Sequence, residues 1–117
     1  MNGNLNLSRA LGDLQYKRDK RLLPEEQLIS GVPEIKTETI TPDDRYLVLA
    51  CDGIWNSMTS QEVVDFVNHG LDENLQPETI CEQILDRCLA PNKYGNGDGC
   101  DNMTVVIVLL KHPKSTA

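Results

Sequence analysis

The stretch YLVLACDGIWN, Tyr46 to Asn56, decides the fold. Six apolar or small residues run straight into a carboxylate, Asp52, and then a glycine, Gly53. A continuous apolar run of this length reads as a strand buried on both faces. A charge at its end reads in one of two ways: a turn residue that closes the strand, or a ligand aimed at a cation. A second segment poses the same question in reverse. Asp101 and Asn102 stand just before TVVIVLL, Thr104 to Leu110, another run with the character of a buried strand. A strand of six residues is about 20 Å long. Two parallel strands would hold Asp52 and Asp101 at opposite ends of the sheet, whereas two antiparallel strands bring both to one end. Adjacent carboxylates repel, and a hard divalent cation such as Mg²⁺ or Mn²⁺ supplies the counter-charge through oxygen ligands.

The segments around these two strands predict a mixed architecture. Glu34 to Ile40 (EIKTETI) alternates and carries β-branched residues. TPDD, Thr41 to Asp44, has proline and aspartate in type I turn positions, so Glu34–Ile40 and Tyr46–Cys51 are expected to form an antiparallel hairpin. Asn4 to Ser8 alternates weakly and predicts a further short strand. Leu14 to Gln27 is highly charged and broken by Pro24, and predicts a loop or short helix. TSQE, Thr59 to Glu62, matches a capping box, and Val63, Val64, Val67 and Leu71 then fall on one helical face. A second helix starts at Pro77, with Ile80, Ile84, Leu85, Cys88 and Leu89 as its apolar stripe and Pro91 as its stop. Core packing accounts for both stripes. The order strand, hairpin, helix pair, strand predicts an α+β fold with helices on one face of a largely antiparallel sheet.

Composition narrows the function. The 117 residues suffice for one modest domain, and with aromatics at 4% the core must be built from Leu, Val and Ile. A formal charge of −7 and a pI of 4.7 argue against nucleic-acid backbones and anionic membranes as partners and suit divalent cations. Cys51, Cys81, Cys88 and Cys100 include no C-x-x-C pair, so a structural zinc site is not expected, and free thiols in the cytoplasm or nucleus are. The opening MNGNLNLSRALGD lacks the pattern of a signal peptide. Ser8 has no histidine near it in sequence, and Cys51 reads as a buried, inert thiol, so neither is a candidate nucleophile. An EF-hand counted from Asn92 places Gly97 correctly but puts Met103 where the bidentate glutamate belongs, and GNGDG is not followed by the Lys-Ser/Thr of a P-loop.

Three ordered stretches carry a resemblance: LNLSRALGD (Leu5 to Asp13), VLACDGIWN (Val48 to Asn56) and GCDNMTVVIV (Gly99 to Val108). Together they resemble successive motifs of the metal-dependent protein serine/threonine phosphatases, the protein phosphatase 2C family, over about Asn4 to Leu110. PEEQLIS, WNSMTSQEVVDF and CLAP resemble its gamma-type branch. The resemblance implies the C-terminal part of an α-β-β-α sandwich of antiparallel sheets flanked by helices, with residues 111–117 as a flexible tail. It implies hydrolysis of phosphoserine and phosphothreonine in protein substrates by a water activated by two Mg²⁺ or Mn²⁺ ions, without a phosphoenzyme. Asp52 and Asp101 would be metal ligands, with Gly53 and Asn102 beside them, and Arg9, Gly12 and Asp13 would serve structurally near the site.

The chain also departs from the pattern. The family's Asp-Gly-His-Gly-Gly segment, which brings the bridging aspartate, does not occur, nor does its phosphate-binding arginine segment. Asn56 stands where many members have an aspartate. The expectation is therefore a C-terminal portion of a phosphatase domain that is inactive alone. The alternative is a non-catalytic binding or regulatory module built on the same fold.

Overall fold

The computed structural model of the chain describes residues 6–89 and 99–111. They fall into two compact units, residues 1–39 and 40–117.

The first unit is made of turns and loops. Its organising contact is an isolated parallel bridge between Arg9 and Ser30: Ala10 N–H donates to the Ser30 carbonyl at 3.0 Å, and Ser30 N–H donates to the Ser8 carbonyl at 3.0 Å. Among its described residues, Ile29 and Ser30 are buried. Single-turn 3₁₀ helices occupy Leu14–Tyr16 and Pro24–Glu26, the second closed by the Glu26 carboxylate accepting from Leu23 N–H at 2.9 Å. The strand expected over Asn4–Ser8 is absent from its described part, residues 6–8, and Arg9 beyond it makes an isolated bridge.

The second unit is α+β, as expected. It runs β1 (Tyr46–Ala50), α1 (Asp52–Trp55), α2 (Ser60–Asp72), α3 (Pro77–Cys88) and β2 (Val105–Leu109). β1 pairs antiparallel with β2 in a two-stranded sheet, Val48 opposite Ile107 and Ala50 opposite Val105. The expected hairpin with Glu34–Ile40 does not form, and that stretch has no ladder among the described residues. The reason lies in its parity. Side chains alternate along a strand, so Ile35 and Ile40 would face opposite sides, and neither face offers two apolar residues to bury. Ile35 is 84% exposed and Ile40 65%. The Thr41–Asp44 turn is present, with Asp44 N–H bonded to the Thr41 carbonyl and the Asp44 carboxylate accepting from Thr41 N–H at 2.7 Å.

Helix α2 opens as its sequence dictates. Thr59 Oγ1 accepts from Glu62 N–H at 3.3 Å while Glu62 Oε2 accepts from Thr59 N–H at 2.8 Å. Beyond its last turn Asn74 takes the left-handed conformation, φ 60°, which asparagine tolerates better than most residues. Pro77 is the first residue of α3, where its missing N–H removes no helical bond. Pro91, the expected stop, lies outside the described residues.

Ile54, Met58, Val63, Val67, Ile80, Ile84 and Cys88 form the core, joined by the inward side chains Tyr46, Val48, Ala50, Val105 and Ile107. Each fully buried Ile or Val contributes about 1.5–3 kcal/mol relative to exposure. Tyr46 also fastens the sheet to α2, its hydroxyl lying 3.0 Å from Asn68 Oδ1 and 3.2 Å from the Val64 carbonyl. Among the described residues only one face of the sheet is covered, contrary to the expectation of strands buried on both sides. Leu47, Leu49, Val106 and Val108 point away from the helices and are 42% to 52% exposed. Among the described residues no helix is long and apolar enough to cross a membrane.

Candidate metal centre

The antiparallel pairing settles which end of the sheet each aspartate occupies. The chain leaves β1 at Ala50 and enters β2 at Val105, and those two residues are register partners. Asp52 and Asp101 therefore lie at the same end of the sheet. One more ladder bond continues past the strands, Cys51 N–H to the Thr104 carbonyl at 3.2 Å. The Cys51 sulfur bridges the same junction, accepting from Thr104 N–H at 3.3 Å and lying 3.5 Å from the Asn102 carbonyl.

Beyond this clasp each aspartate is held by local geometry. Asp52 is the first residue of the one-turn helix α1, whose start is fixed by Ile54 N–H and Trp55 N–H bonding the Cys51 carbonyl and by Trp55 Nε1–H bonding the Ala50 carbonyl at 3.0 Å. Gly53 is buried, and the space a Cβ would fill is taken by the Asn102 carbonyl oxygen and the Met103 side chain. Glycine is needed there because the two main chains meet. On the other side Gly99 adopts a left-handed φ of 73°, and Asp101 Oδ1 accepts from Asn102 N–H at 2.8 Å. Asp52, Asp101 and Asn102 are all exposed at the sheet end. Asn56 caps α1 through its N–H to the Asp52 carbonyl at 2.8 Å.

Arg9 and Asp13 belong to the first unit. Arg9 pairs with Glu34 at 2.9 Å, both side chains exposed, so the carboxylate it meets is Glu34. Asp13 follows Gly12 in a left-handed pair, φ 49° and 76°, that turns the chain into the first 3₁₀ helix. The two residues shape a loop of the first unit. The Cys51 sulfur bridge and the Trp55 bond escape a reading of the sequence, because nothing in the run Ala50–Trp55 distinguishes a thiol or indole that bonds main chain from one that fills the core.

The donor set has a definite chemistry. Two carboxylates and an amide are hard oxygen donors, suited to Mg²⁺ or Mn²⁺ and ill suited to soft metals. They fall short of the six positions an octahedral ion fills. Among the described residues no cluster of three or more His, Cys, Asp or Glu side chains could hold a metal ion. The residues fit one wall of a cation site, with water or other groups needed for the rest.

An antiparallel sheet backed by helices thus carries two acids, Asp52 and Asp101, at one end. The family model described as Protein phosphatase 2C matches residues 1–97, and the chain belongs to this family. Among its relatives, Protein phosphatase 1G of Homo sapiens is 54% identical over 100% of this chain and 22% of its own length. "Probable protein phosphatase CG10417" of Drosophila melanogaster is 60% identical over 95% of the chain and 17% of its own length. "Probable protein phosphatase 2C 60" of Arabidopsis thaliana is 50% identical over 97% of the chain and 31% of its own length. The chain thus spans between about a sixth and a third of the length of these curated relatives.

Proposed function

We propose that residues 4–110 supply one wall of the metal centre of a Mg²⁺- or Mn²⁺-dependent phosphatase that acts on phosphoserine and phosphothreonine in proteins. The observation that carries this reading is that Asp52 and Asp101 stand at the same end of the sheet, where Gly53 packs against the Asn102 carbonyl, in a chain of the protein phosphatase 2C family. Asp52 and Asp101 would hold the cation, and the Asn102 amide would orient water beside it. Bound there, the cation lowers the pKa of water and offsets the charge of a phosphate group. The chain's own residues otherwise position: Cys51 and Thr104 lock the two strand ends, and Trp55 fixes the start of α1.

Two carboxylates leave most of a hard ion's coordination to other groups, so the chain by itself binds such an ion weakly and turns over no substrate. Calorimetric titration with Mn²⁺ of the chain, Asp52→Ala and Asp101→Ala tests the site, with weak binding expected in the first and none in the variants. Unchanged binding in both variants would overturn the assignment. Metal-dependent release of phosphate from a phosphothreonine peptide by the unmodified chain would overturn the statement that it is inactive alone.

A further inference from the structure

The net charge of −7 conceals an uneven distribution. Residues 17–21, KRDKR, hold four of the eleven Lys and Arg residues and a single acid. Three of these five charged side chains are spent on shaping the loop itself. Lys17 Nζ donates to the Ala10 carbonyl at 2.6 Å. Asp19 accepts from Arg21 through both oxygens, at 2.9 and 2.7 Å, and from Arg21 N–H at 3.1 Å, which holds its carboxyl below the usual range. Gln27 then braces the loop from across, accepting from Asp19 N–H at 3.2 Å and donating to the Asp19 and Leu22 carbonyls at 2.7 and 3.1 Å. Arg18 and Lys20 remain. Both are exposed, and neither has an ion pair or hydrogen bond among the described residues.

Beside the braced loop runs an open groove of about 490 Å³, whose apolar wall is Leu22, Pro24 and Val32 and whose rim carries Arg18 and Lys20. Leu22 and Val32 are each 41% exposed, so the wall faces solvent. An ordered loop that offers two uncommitted cations above an apolar seat matches a ligand with carboxylates on either side of one apolar side chain. A phosphodiester backbone matches it less well, because the apolar seat gives such a ligand nothing to bury.

We propose that the groove between Lys17 and Val32 is a docking surface for an acidic segment of a partner protein, in which Asp or Glu residues flank a leucine-sized side chain. The apolar residue seats on Leu22, Pro24 and Val32, and the flanking carboxylates pair with Arg18 and Lys20. The proposal stands apart from the phosphatase reading, since docking needs neither metal nor turnover.

Fluorescence anisotropy with a labelled peptide carrying one leucine between runs of glutamate, added to the full chain without metal, tests it. Binding is expected, weakening as salt rises from about 50 mM to about 500 mM because the Debye length shrinks several-fold. Arg18→Glu with Lys20→Glu is expected to weaken binding by roughly tenfold or more, and Arg18→Gln with Lys20→Gln by less. Because these side chains make no internal bonds, the variants should retain the circular dichroism of the parent. If the double glutamate variant unfolds, the glutamine pair carries the same comparison. Replacing the peptide's leucine by serine is expected to weaken binding as well. Absence of binding, equal binding by the charge variants, equal binding of the serine peptide, or displacement by single-stranded RNA of matched charge would each overturn the proposal.

Discussion

The main chain of Gly53 rests against the carbonyl oxygen of Asn102, leaving no room for a β-carbon between α1 and the segment that enters β2. The atom in the way belongs to backbone, so it cannot swing aside as a side chain would. Gly53→Ala is therefore expected to push the two segments apart. Overpacking of this kind costs about 1–3 kcal/mol, to be read from urea denaturation. The same variant separates Asp52 from Asp101, so Mn²⁺ affinity should fall with it. A variant with parental stability and parental Mn²⁺ binding would show that the contact positions nothing.

A second glycine makes a similar prediction with a built-in control. A β-carbon at Gly70 in α2 would lie 2.7 and 2.8 Å from Cγ1 and Cδ1 of the fully buried Ile80 in α3. Alanine gains about 1 kcal/mol over glycine in a helix interior, but the clash costs about 1–3 kcal/mol, so Gly70→Ala should destabilise on balance. In an Ile80→Ala background the obstructing atoms are gone, and the same substitution should become neutral or stabilising. Equal effects in both backgrounds would rule out the helix contact as the cause.

The capping box of α2 predicts an acid limb in the stability profile. Thr59 N–H and its hydroxyl bond the Glu62 carboxylate and hold its pKa below the ordinary value. A depressed folded-state pKa contributes stability that is complete above the unfolded value of about 4.3 and is lost as pH falls through the lower folded value. Glu62→Ala should lower the urea midpoint at neutral pH and converge with the parent in acid below that range. Thr59→Ala removes the other half of the box and should cost about 1 kcal/mol. Parallel curves for the parent and Glu62→Ala across the acid range would remove Glu62 from the account.

An alkaline limb follows from burial. The Tyr46 phenol and the Cys81 and Cys88 thiols are all pushed up by desolvation, because the packed interior disfavours their anions. Raised folded-state values give stability that is complete below the unfolded thiol value of about 8.5 and is lost as pH climbs past it. The denaturation midpoint should fall from there upward, and Cys88→Ala, though less stable at neutral pH, should fall less steeply. A midpoint indifferent to pH between about 8 and 10 would contradict this.

The parts legible in the sequence were those encoded locally or by a strict chemical demand. The Thr59–Glu62 box and Pro77 announce their helices within four residues, and both helices start where those signals stand. The opposed course of the two apolar strands was one of two arrangements the sequence left open, and the pairing of Ala50 with Val105 selects it. The hairpin with Glu34–Ile40 misled because nearness in sequence favours neighbours, whereas β1 takes its partner from more than fifty residues away. The open side of the sheet was hidden for a different reason: Leu47 and Leu49 read as buried whether or not anything lies over them. The pairing of Arg9 with Glu34 was not legible, since ion pairs on exposed loops leave no periodic trace.

That open side has a practical consequence. Leu47, Leu49, Val106 and Val108 make an exposed hydrocarbon tile on a chain whose −7 charge otherwise keeps copies apart. Salt that screens the repulsion leaves the tile untouched, so the chain should turn sticky in concentrated brine and stay well dispersed in dilute buffer.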